Sequence, residues 1–348
     1  MSPLPGRPIS SELLTRIDAM AGRSVVLAAD LVVDRFITGV PKRISREAPV
    51  LILAFEGERS IPGGGANAAA NVAALGGRPL VLGIVGEDDS GRTLLEMLRA
   101  RGIPTEGIRT RPGYRTPTKT RILGGGAIKQ QIVRYDVEDS LVPTAEDRQG
   151  FRERLAVWAG RKPQPQVAVL SDYGYGSVQP GLVPDVRDAL GPGCRVLCDS
   201  RYRLGELEGL DGATPNQEEA EALLGGPLPE GEELDAAGRR LVERLGVGFL
   251  LITRGSRGMS LFHGSSVCHL PVHGTDQVAD VTGAGDTVLG TFSLALAAGA
   301  QPLEAALLAN YAGGIVVMKQ GTATLSPEEL KEAVADDPAP IEKLRCRA

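Results

Sequence analysis

Short apolar runs, rich in β-branched residues, alternate along this chain with segments of helical periodicity. We predict a buried strand in each apolar run and a helix in each segment between them. The predicted strands cover residues 25–28, 80–85, 167–170, 195–198 and 249–253. The predicted helices cover residues 66–75, 91–101, 145–159, 218–224, 236–245, 284–298 and 303–318. Strands joined by helices at this spacing run parallel, so the pattern predicts an α/β fold with a mainly parallel central sheet covered by helices on both faces.

Two segments, residues 36–61 and 114–137, do not follow this alternation. Both are polar at alternate positions and rich in lysine and arginine, and the second flanks the glycines at 124–126 in the manner of a β-hairpin. They are typical either of a small antiparallel sheet beside the main one, which we call the lid, or of two ordinary surface loops. We expect one domain over residues 24–335 that includes the lid, followed by a frayed C-terminal tail at 336–348.

The charge balance and the cysteine pattern exclude several classes of partner and cofactor. Lysine and arginine total 38 against 43 aspartate and glutamate residues, a net charge of −5, which argues against a nucleic-acid partner. The four cysteines form no CxxC pair and the three histidines lack HExxH spacing, so a structural zinc site is not expected. We find neither a secretion signal nor a run of about eighteen apolar residues, and therefore expect no membrane contact and a reducing, cytoplasmic compartment.

The most informative segment reads Asp-Val-Thr-Gly-Ala-Gly-Asp-Thr at residues 280–287 and stands directly before an apolar helical pattern. A glycine turn that opens a helix leaves the amides of Gly283, Ala284 and Gly285 at the positive end of the helix dipole, where they attract an anion. Asp286 is unusual beside such an anion unless its carboxylate accepts a proton from an attacking hydroxyl. The alternative is that Asp286 only stabilises the first helical turn.

This segment resembles the signature of the ribokinase-like, or PfkB, carbohydrate kinases. Residues 62–76, Pro-Gly-Gly-Gly-Ala-Asn-Ala-Ala-Ala-Asn-Val-Ala-Ala-Leu-Gly, are similar to a second signature of that family, although small residues at helical spacing also suit close helix packing. The resemblance extends from about residue 25 to 330 and implies a three-layer αβα ribokinase-like fold with a β-sheet lid. It implies ATP and Mg²⁺ as cofactors, Asp286 as the base, and the amides of Gly283, Ala284 and Gly285 as stabilisers of the transferred phosphoryl group.

The resemblance also implies binding roles for residues near the ends of the predicted strands, where ligands of parallel sheets gather. Those implied for the acceptor sugar are Asp34, Gly63, Gly64, Asn67 and Asp172. Those implied for the nucleotide are Asn216, Glu219, Thr253, Gly255, Gly258 and Asn310, with Asn216 and Glu219 organising Mg²⁺ through water. The alternative is that each polar residue after a strand caps or turns the chain, and that Asn310 is a buried side chain satisfied by backbone.

Within the family, the chain resembles in particular the heptose 7-phosphate kinases, the kinase domain of the ADP-heptose synthases. This likeness is carried by stretches such as Thr-Lys-Thr-Arg at 118–121 and Gln-Ile-Val-Arg-Tyr-Asp at 131–136. A sugar that already bears phosphate needs cations near its distal end. The candidate cations in the lid segments are Arg43, Lys119, Arg121 and Arg134, unless they are solvated charges on a strand edge.

The chain departs from the pattern of these heptose kinases at Ala29, Tyr175 and Ser200-Arg201, where they usually carry Gly, Lys and Pro-Lys. Three kinds of function therefore stay open. The first is transfer of phosphate from ATP to heptose 7-phosphate, and the second is a kinase of the same family for fructose 6-phosphate, fructose, ribose or a nucleoside. The third is a non-catalytic sugar-phosphate sensor, which would tend to lose Asp286. A dinucleotide-dependent oxidoreductase is disfavoured because no GxGxxG follows the first strand. Lids of family members often pack together, which implies a homodimer.

Overall fold

The computed structural model describes residues 10–126, 129–274 and 279–347, so the expected lid, domain and tail each include residues outside the described ones. The helices in the described part are α1 Ser10–Ala19, α2 Gly65–Ala74, α3 Asp89–Ala100, α4 Ala145–Ala159, α5 Leu182–Leu190, α6 Gln217–Leu224, α7 Gly231–Leu245, α8 Ala284–Ala297, α9 Pro302–Val317, α10 Pro327–Asp336 and α11 Ala339–Glu342. The strands are β1 Ser24–Ala29, β2 Leu31–Ile44, β3 Leu51–Gly64, β4 Arg78–Gly86, β5 Ile108–Arg111, β6 Thr118–Gly125, β7 Lys129–Val137, β8 Val167–Asp172, β9 Arg195–Ser200, β10 Gly212–Ala213, β11 Phe249–Thr253, β12 Met259–His263, β13 Ser266–Leu270 and β14 Arg345–Arg347.

Ten strands form the central sheet in the order β14-β13-β12-β11-β10-β9-β8-β1-β4-β5. The strands from β5 to β11 along this order run parallel to one another. At the other edge β12, β13 and β14 add an antiparallel extension to β11. The predicted α/β fold with a mainly parallel sheet is confirmed.

Helices cover both faces of this sheet, because successive residues of a strand point to opposite sides. In β1, Val25 and Leu27 are fully buried in one apolar cluster, which includes side chains of α2, α8 and α9. Val26 and Ala28 of the same strand belong to a second cluster, with side chains of α4 and α5. The two clusters on either side of one sheet make the three layers that the sequence predicted.

The lid is a second sheet of four strands in the order β3-β2-β6-β7. Strands β2 and β3 form one antiparallel pair, β6 and β7 form another, and β2 and β6 join the pairs in parallel. The interpretation as two surface loops is therefore wrong. Strand β2 begins at Leu31, earlier than expected, because residues 31–34 are buried and so lack the polar alternation that revealed the rest of the lid.

Both ends of the described chain differ from the sequence-based expectation. Helix α1 lies before residue 24 and buries Leu13 and Ile17 in the core. The expected frayed tail is folded up to residue 347: α11 follows α10, and β14 pairs with β13. Pro340 lies in the first turn of α11, where the missing N–H breaks no helical hydrogen bond.

A disulfide joins Cys268 of β13 to Cys346 of β14. The reducing compartment expected from the sequence does not favour disulfides, and the cysteine spacing gave no sign of this pair. None of the helices in the described part is long and apolar enough to cross a membrane.

Candidate active site

The glycine turn before α8 is held by its own first residue. The carboxylate of Asp280 accepts the N–H of Thr282 at 2.9 Å and the N–H of Gly321 at 3.1 Å. Gly283 has a φ of 80°, in the left-handed region, and a β-carbon there would lie 2.5 Å from Nδ2 of Asn67. Only glycine satisfies both conditions at this position.

The backbone amides at this turn are not equivalent. The amide of Ala284 donates to the carbonyl of Val281 at 3.2 Å and so closes the turn. Within the described residues, the amides of Gly283 and Gly285 have no backbone carbonyl partner. Space is open around the α-carbon of Gly285, which lines a cavity. The expectation of three free amides is therefore corrected to two, those of Gly283 and Gly285.

Asp286 is buried at the start of α8, with 4% of its surface exposed. Its Oδ1 accepts the hydroxyl of Tyr173 at 2.6 Å, and its Oδ2 accepts Nδ2 of Asn67 at 3.0 Å. Burial raises the pKa of Asp286 from the usual 3.8 to about 6, although both hydrogen bonds act in the opposite direction. The side chain is thus ionised at neutral pH and is a stronger base than an exposed carboxylate. A residue that only stabilised a helix turn would not need this environment.

Helix α2 orients the side-chain amide that donates to Asp286. Asn67 and Asn71 are four residues apart and so lie on one face of the helix. Nδ2 of Asn71 donates to Oδ1 of Asn67 at 3.2 Å, which turns the amino group of Asn67 towards Asp286 and the carbonyl of Gly283. The resemblance assigned Asn67 to the sugar, whereas in this structure both of its N–H groups are used within the protein.

Two glycines allow close packing at the end of the lid near Asp286. A β-carbon at Gly63 would lie 2.4 Å from Oδ2 of Asp34, and one at Gly64 would lie 3.3 Å from the ring of Tyr173. Asp34 in turn accepts Nη1 of Arg121 at 2.6 Å, with both side chains largely buried. Asp34, Gly63 and Gly64 are thus brought together at the end of the lid nearest to α8.

Three of the predicted cations cluster on β6 and β7. Lys119 lies over the ring of Tyr173, with 5.2 Å from Nζ to the ring centre, and burial lowers its pKa. Arg121 stands opposite Arg134 in the strand register, and Nε of Arg134 donates to Asp136 at 2.8 Å. This cationic group lies on the lid side of Asp286.

Two predicted residues do not take part as expected. Arg43 is exposed nine residues beyond Asp34 along β2, roughly 30 Å away at the usual rise per residue, so the structure does not bring it to the cluster. The side chain of Asp172 is fully buried, and its carboxylate accepts Arg203 at 2.8 Å and Ser200 at 2.7 Å. Asp172 lies at the wall of the cavity but its acceptor capacity is used by these neighbours.

A cavity of about 440 Å³ opens beside the start of α8, at the carboxyl ends of β8, β9 and β11. Thirteen residues line it: Asp172, Tyr173, Asp199, Arg201, Tyr202, Thr214, Asn216, Glu218, Glu219, Ala222, Thr253, Gly285 and Val288. Four predicted nucleotide or phosphoryl contacts, from α6, β11 and α8, are among them. The cavity is therefore the candidate nucleotide site.

Asn216 and Glu219 also form the reciprocal cap of α6, in which each accepts the backbone N–H of the other at about 3 Å. Burial raises the pKa of Glu219, and it raises that of Asp199 well above its usual value with help from the nearby Glu219 and Asp286 charges. No cluster of three metal-ligating side chains occurs among residues 10–126, 129–274 and 279–347. The carboxylates of Asp199 and Glu219 repel each other beside an open cavity. Such a pair nevertheless fits Mg²⁺, which usually binds through one or two carboxylates together with waters and substrate phosphates.

The predicted triphosphate residues follow β11. Thr253 forms an isolated parallel bridge with Asn216, which brings β11 and the start of α6 to one edge of the cavity. Gly255 and Gly258 both have positive φ, 56° and 77°, in the tight turn that leads into β12. A β-carbon at Gly258 would lie 2.0 Å from the carbonyl oxygen of Leu270, so packing is enough to require glycine at this position.

Asn310 is buried in α9, and its Nδ2 donates to the carbonyl of Pro271 at 2.7 Å. This is the backbone-satisfied arrangement that the sequence left open as the alternative to an adenine contact. Its role here is to hold the segment after β13 against α9.

Sequence reasoning missed three residues of the site. Asp30, directly after β1, accepts the backbone N–H groups of Tyr173, Tyr175 and Ser177 at 2.9, 2.9 and 2.8 Å and so shapes the segment after β8. Tyr173 donates to Asp286, and Arg201 lines the cavity. The signal for Asp30 was available, since a carboxylate that ends a buried strand needs several donors.

The sequence model of the family described as "pfkB family carbohydrate kinase" matches residues 26–329 of this chain. The chain belongs to the PfkB family of carbohydrate kinases. As a PfkB kinase it is a phosphotransferase that acts on a sugar, and this family assignment agrees with the buried carboxylate of Asp286 and the free amides of Gly283 and Gly285 at the start of α8.

Curated relatives carry the name "Bifunctional protein HldE". The one from Mesorhizobium japonicum is 38% identical over 334 residues, which is 94% of this chain and 65% of the relative. The one from Chromohalobacter salexigens is 41% identical over 315 residues, 90% of this chain and 64% of the relative. The PfkB kinase described here therefore spans slightly less than two thirds of the length of these relatives.

Solved structures share the fold of this PfkB kinase. Arabidopsis thaliana ribokinase, complexed with ribose and ATP, has a TM-score of 0.70 and 21% identity, covering 90% of this chain and 99% of its own. Escherichia coli phosphofructokinase-2, in complex with substrates and products, has a TM-score of 0.72 and 19% identity at the same coverages. At this identity the likeness is one of fold, and it confirms the ribokinase-like architecture.

Proposed function

We propose that this chain transfers the γ-phosphate of ATP, with Mg²⁺, to the anomeric hydroxyl of heptose 7-phosphate and so forms the 1,7-bisphosphate. The observation that carries the kinase reaction is the buried Asp286 carboxylate, with its raised pKa, beside the free amides of Gly283 and Gly285. The choice of heptose is supported by the motif resemblance and by HldE relatives of 38 and 41% identity.

The proposed step is an in-line displacement at the γ-phosphorus. The sugar hydroxyl gives its proton to Asp286 while its oxygen forms a bond to phosphorus, and the bond to the β–γ bridging oxygen breaks so that ADP leaves with that electron pair. The amides of Gly283 and Gly285 face the charge that develops on the transferred group. In other enzymes one such donor contributes about 3–4 kcal/mol to lowering the barrier.

The nucleotide lies, in this proposal, in the cavity beside α8. Asp199 and Glu219 supply carboxylate oxygens, and Asn216 an amide oxygen, that would hold Mg²⁺ directly or through water. When bound, Mg²⁺ neutralises charge on the phosphates. Arg201 is the one cation among the residues that line this cavity, so the protein alone balances little of the triphosphate charge.

The acceptor phosphate lies, in this proposal, against the cations of the lid. Lys119, Arg121 and Arg134 converge on β6 and β7, and their present counterions are the carboxylates of Asp34 and Asp136. A sugar phosphate offers more charge and more acceptor oxygens than either carboxylate, so it would compete well for these groups.

We also propose that two copies of the chain associate through their lids. The lid strands expose large apolar side chains, including Phe55 at 70%, Tyr135 at 50% and Val133 at 46%. Light scattering of the purified protein tests this proposal, and a monomer mass at micromolar concentration would contradict it.

Phosphorus NMR of the purified protein with ATP, Mg²⁺ and a panel of sugars tests the reaction. The panel contains D-glycero-D-manno-heptose 7-phosphate, fructose 6-phosphate, fructose, ribose and a nucleoside, and the Asp286→Asn variant is the control. A new anomeric phosphate signal with the heptose alone is expected. Transfer only to another acceptor would refute the heptose assignment, and transfer to none would favour a sugar-phosphate sensor.

A further inference from the structure

Tyr173 lies between the lid and the residue assigned as the base. It follows β8 directly, and its hydroxyl donates to Oδ1 of Asp286 at 2.6 Å. The only other hydrogen bond to this carboxylate among the described residues comes from Asn67, on the opposite oxygen. Each oxygen of the carboxylate is therefore oriented by one donor, and the two donors come from different elements of the fold.

Tyr173 is itself fixed at three points. Its backbone N–H donates to the buried carboxylate of Asp30 at 2.9 Å. Its ring packs against Gly64, where a β-carbon would come within 3.3 Å. Nζ of Lys119, from the lid, lies over the ring, 5.2 Å from its centre. A side chain held at its backbone, ring and hydroxyl is suited to fixing the position of a partner.

We propose that Tyr173 is a positioning residue for the base, whose hydroxyl orients the carboxylate of Asp286 and stabilises its charged form, and whose ring links that orientation to Lys119 of the lid. This proposal deepens the kinase function proposed above and rests on it for the role of Asp286. Asn67 alone would leave Oδ1 without a donor and the carboxylate free to rotate.

The other charged groups that face Asp286 come from the lid and from β9. Asp34 of β2 raises the pKa of Asp286 and Lys119 of β6 lowers it, while Asp199 at the end of β9 shares a repulsive interaction with it. Removing the Tyr173 hydroxyl leaves these charges in place and deletes one hydrogen bond to the ionised form. The expected result is a rise in the pKa of Asp286 by about one unit, the size typical of a hydrogen bond to a charged group.

Carbon NMR of the free protein labelled at the aspartate carboxyl carbon tests this without any turnover. The Asp286 signal is identified as the one missing from the Asp286→Asn variant, and its titration midpoint is compared between wild type and Tyr173→Phe. Tyr175→Phe is the matched control, because Tyr175 lies in the same segment but its hydroxyl donates to Glu138 at 3.2 Å. We expect the midpoint to rise by about one unit in Tyr173→Phe and to stay unchanged in the control.

Two further measurements keep the inference falsifiable. Replacing all tyrosines by 3-fluorotyrosine makes the phenol a stronger donor, so the titration midpoint of Asp286 should fall. This measurement does not depend on whether the Tyr173→Phe variant folds. In the kinase assay, the acid limb of the kcat profile should move up with the NMR midpoint, and kcat on the plateau should fall roughly tenfold with the KM for ATP unchanged. An unmoved midpoint in both protein samples would overturn the proposal. A shifted midpoint in a protein that phosphorylates no sugar would instead refute the proposed function and leave the Tyr173–Asp286 interaction in place.

Discussion

Replacing Asp286 by asparagine should abolish most of the turnover and, at neutral pH, make the protein more stable. The carboxylate is buried and its pKa is raised from 3.8 to about 6. The folded protein therefore binds a proton at this site more tightly than the unfolded chain does. Ionising the site at neutral pH opposes folding, and a neutral amide of nearly the same shape removes that opposition.

The size of the effect follows from the shift in pKa. A rise of about two units corresponds to about 3 kcal/mol at 1.36 kcal/mol per unit. This destabilisation is absent below pH 3.8, grows as the pH rises, and is complete above pH 6. An asparagine can still accept from Asn67 on its oxygen and donate to the hydroxyl oxygen of Tyr173, so little of the gain is lost. At the average unfolding entropy per residue, 3 kcal/mol in a chain of this size raises Tm by about 4 °C.

Calorimetry of wild type and Asp286→Asn at pH 7.5 and near pH 4 measures this difference. We expect the variant to melt higher at pH 7.5 and the gap to close near pH 4, with turnover lowered by about 10²–10⁴-fold from loss of the base. Asp188→Asn, at an exposed position of α5, controls for the change of net charge. A Tm difference that is equal at both pH values, or a less stable variant at pH 7.5, would refute the reasoning.

Three other predictions concern the acceptor and the nucleotide. Arg134→Ala should raise the KM for a sugar phosphate more than the KM for ATP, because Arg134 lies on the lid beside Lys119 and Arg121. Equal effects on the two KM values in steady-state kinetics would show that Arg134 does not belong to the acceptor site. Gly63→Ala places a β-carbon 2.4 Å from Oδ2 of Asp34 and should raise the acceptor KM at least tenfold with nucleotide affinity unchanged in calorimetry. ATP with Mg²⁺ should bind at least tenfold more tightly than ATP with EDTA, since four carboxylates and one arginine line the cavity, and equal affinities would contradict the assigned carboxylates.

The layered architecture was predictable because buried parallel strands are continuous apolar runs that local sequence reveals. Helix α4 and strand β11 have the predicted bounds, and the other predicted elements differ by a few residues. Three of the elements that the sequence did not predict, β10, β14 and α1, show why local sequence falls short. Strand β10 has only two residues, and β14 becomes a strand only by pairing with β13, which lies 75 or more residues earlier in the chain. Helix α1 becomes part of the core only through Leu13 and Ile17, which pack against residues far along the sequence.

In the candidate site, too, some features could be predicted from local sequence and others could not. The motif at 280–287 identified Asp286 and its glycines, because a positive φ and a close approach leave glycine as the only choice at Gly283. The bond that ties up the amide of Ala284 is also local, because residues 281–284 form a four-residue turn with glycine at its third position, although we expected this amide to be free. No local pattern indicates that Tyr173, more than a hundred positions earlier, donates to Asp286. The sequence thus picks out Asp286 as the proposed base, whereas the pKa of Asp286 is set by burial and by donors that only the folded chain brings together.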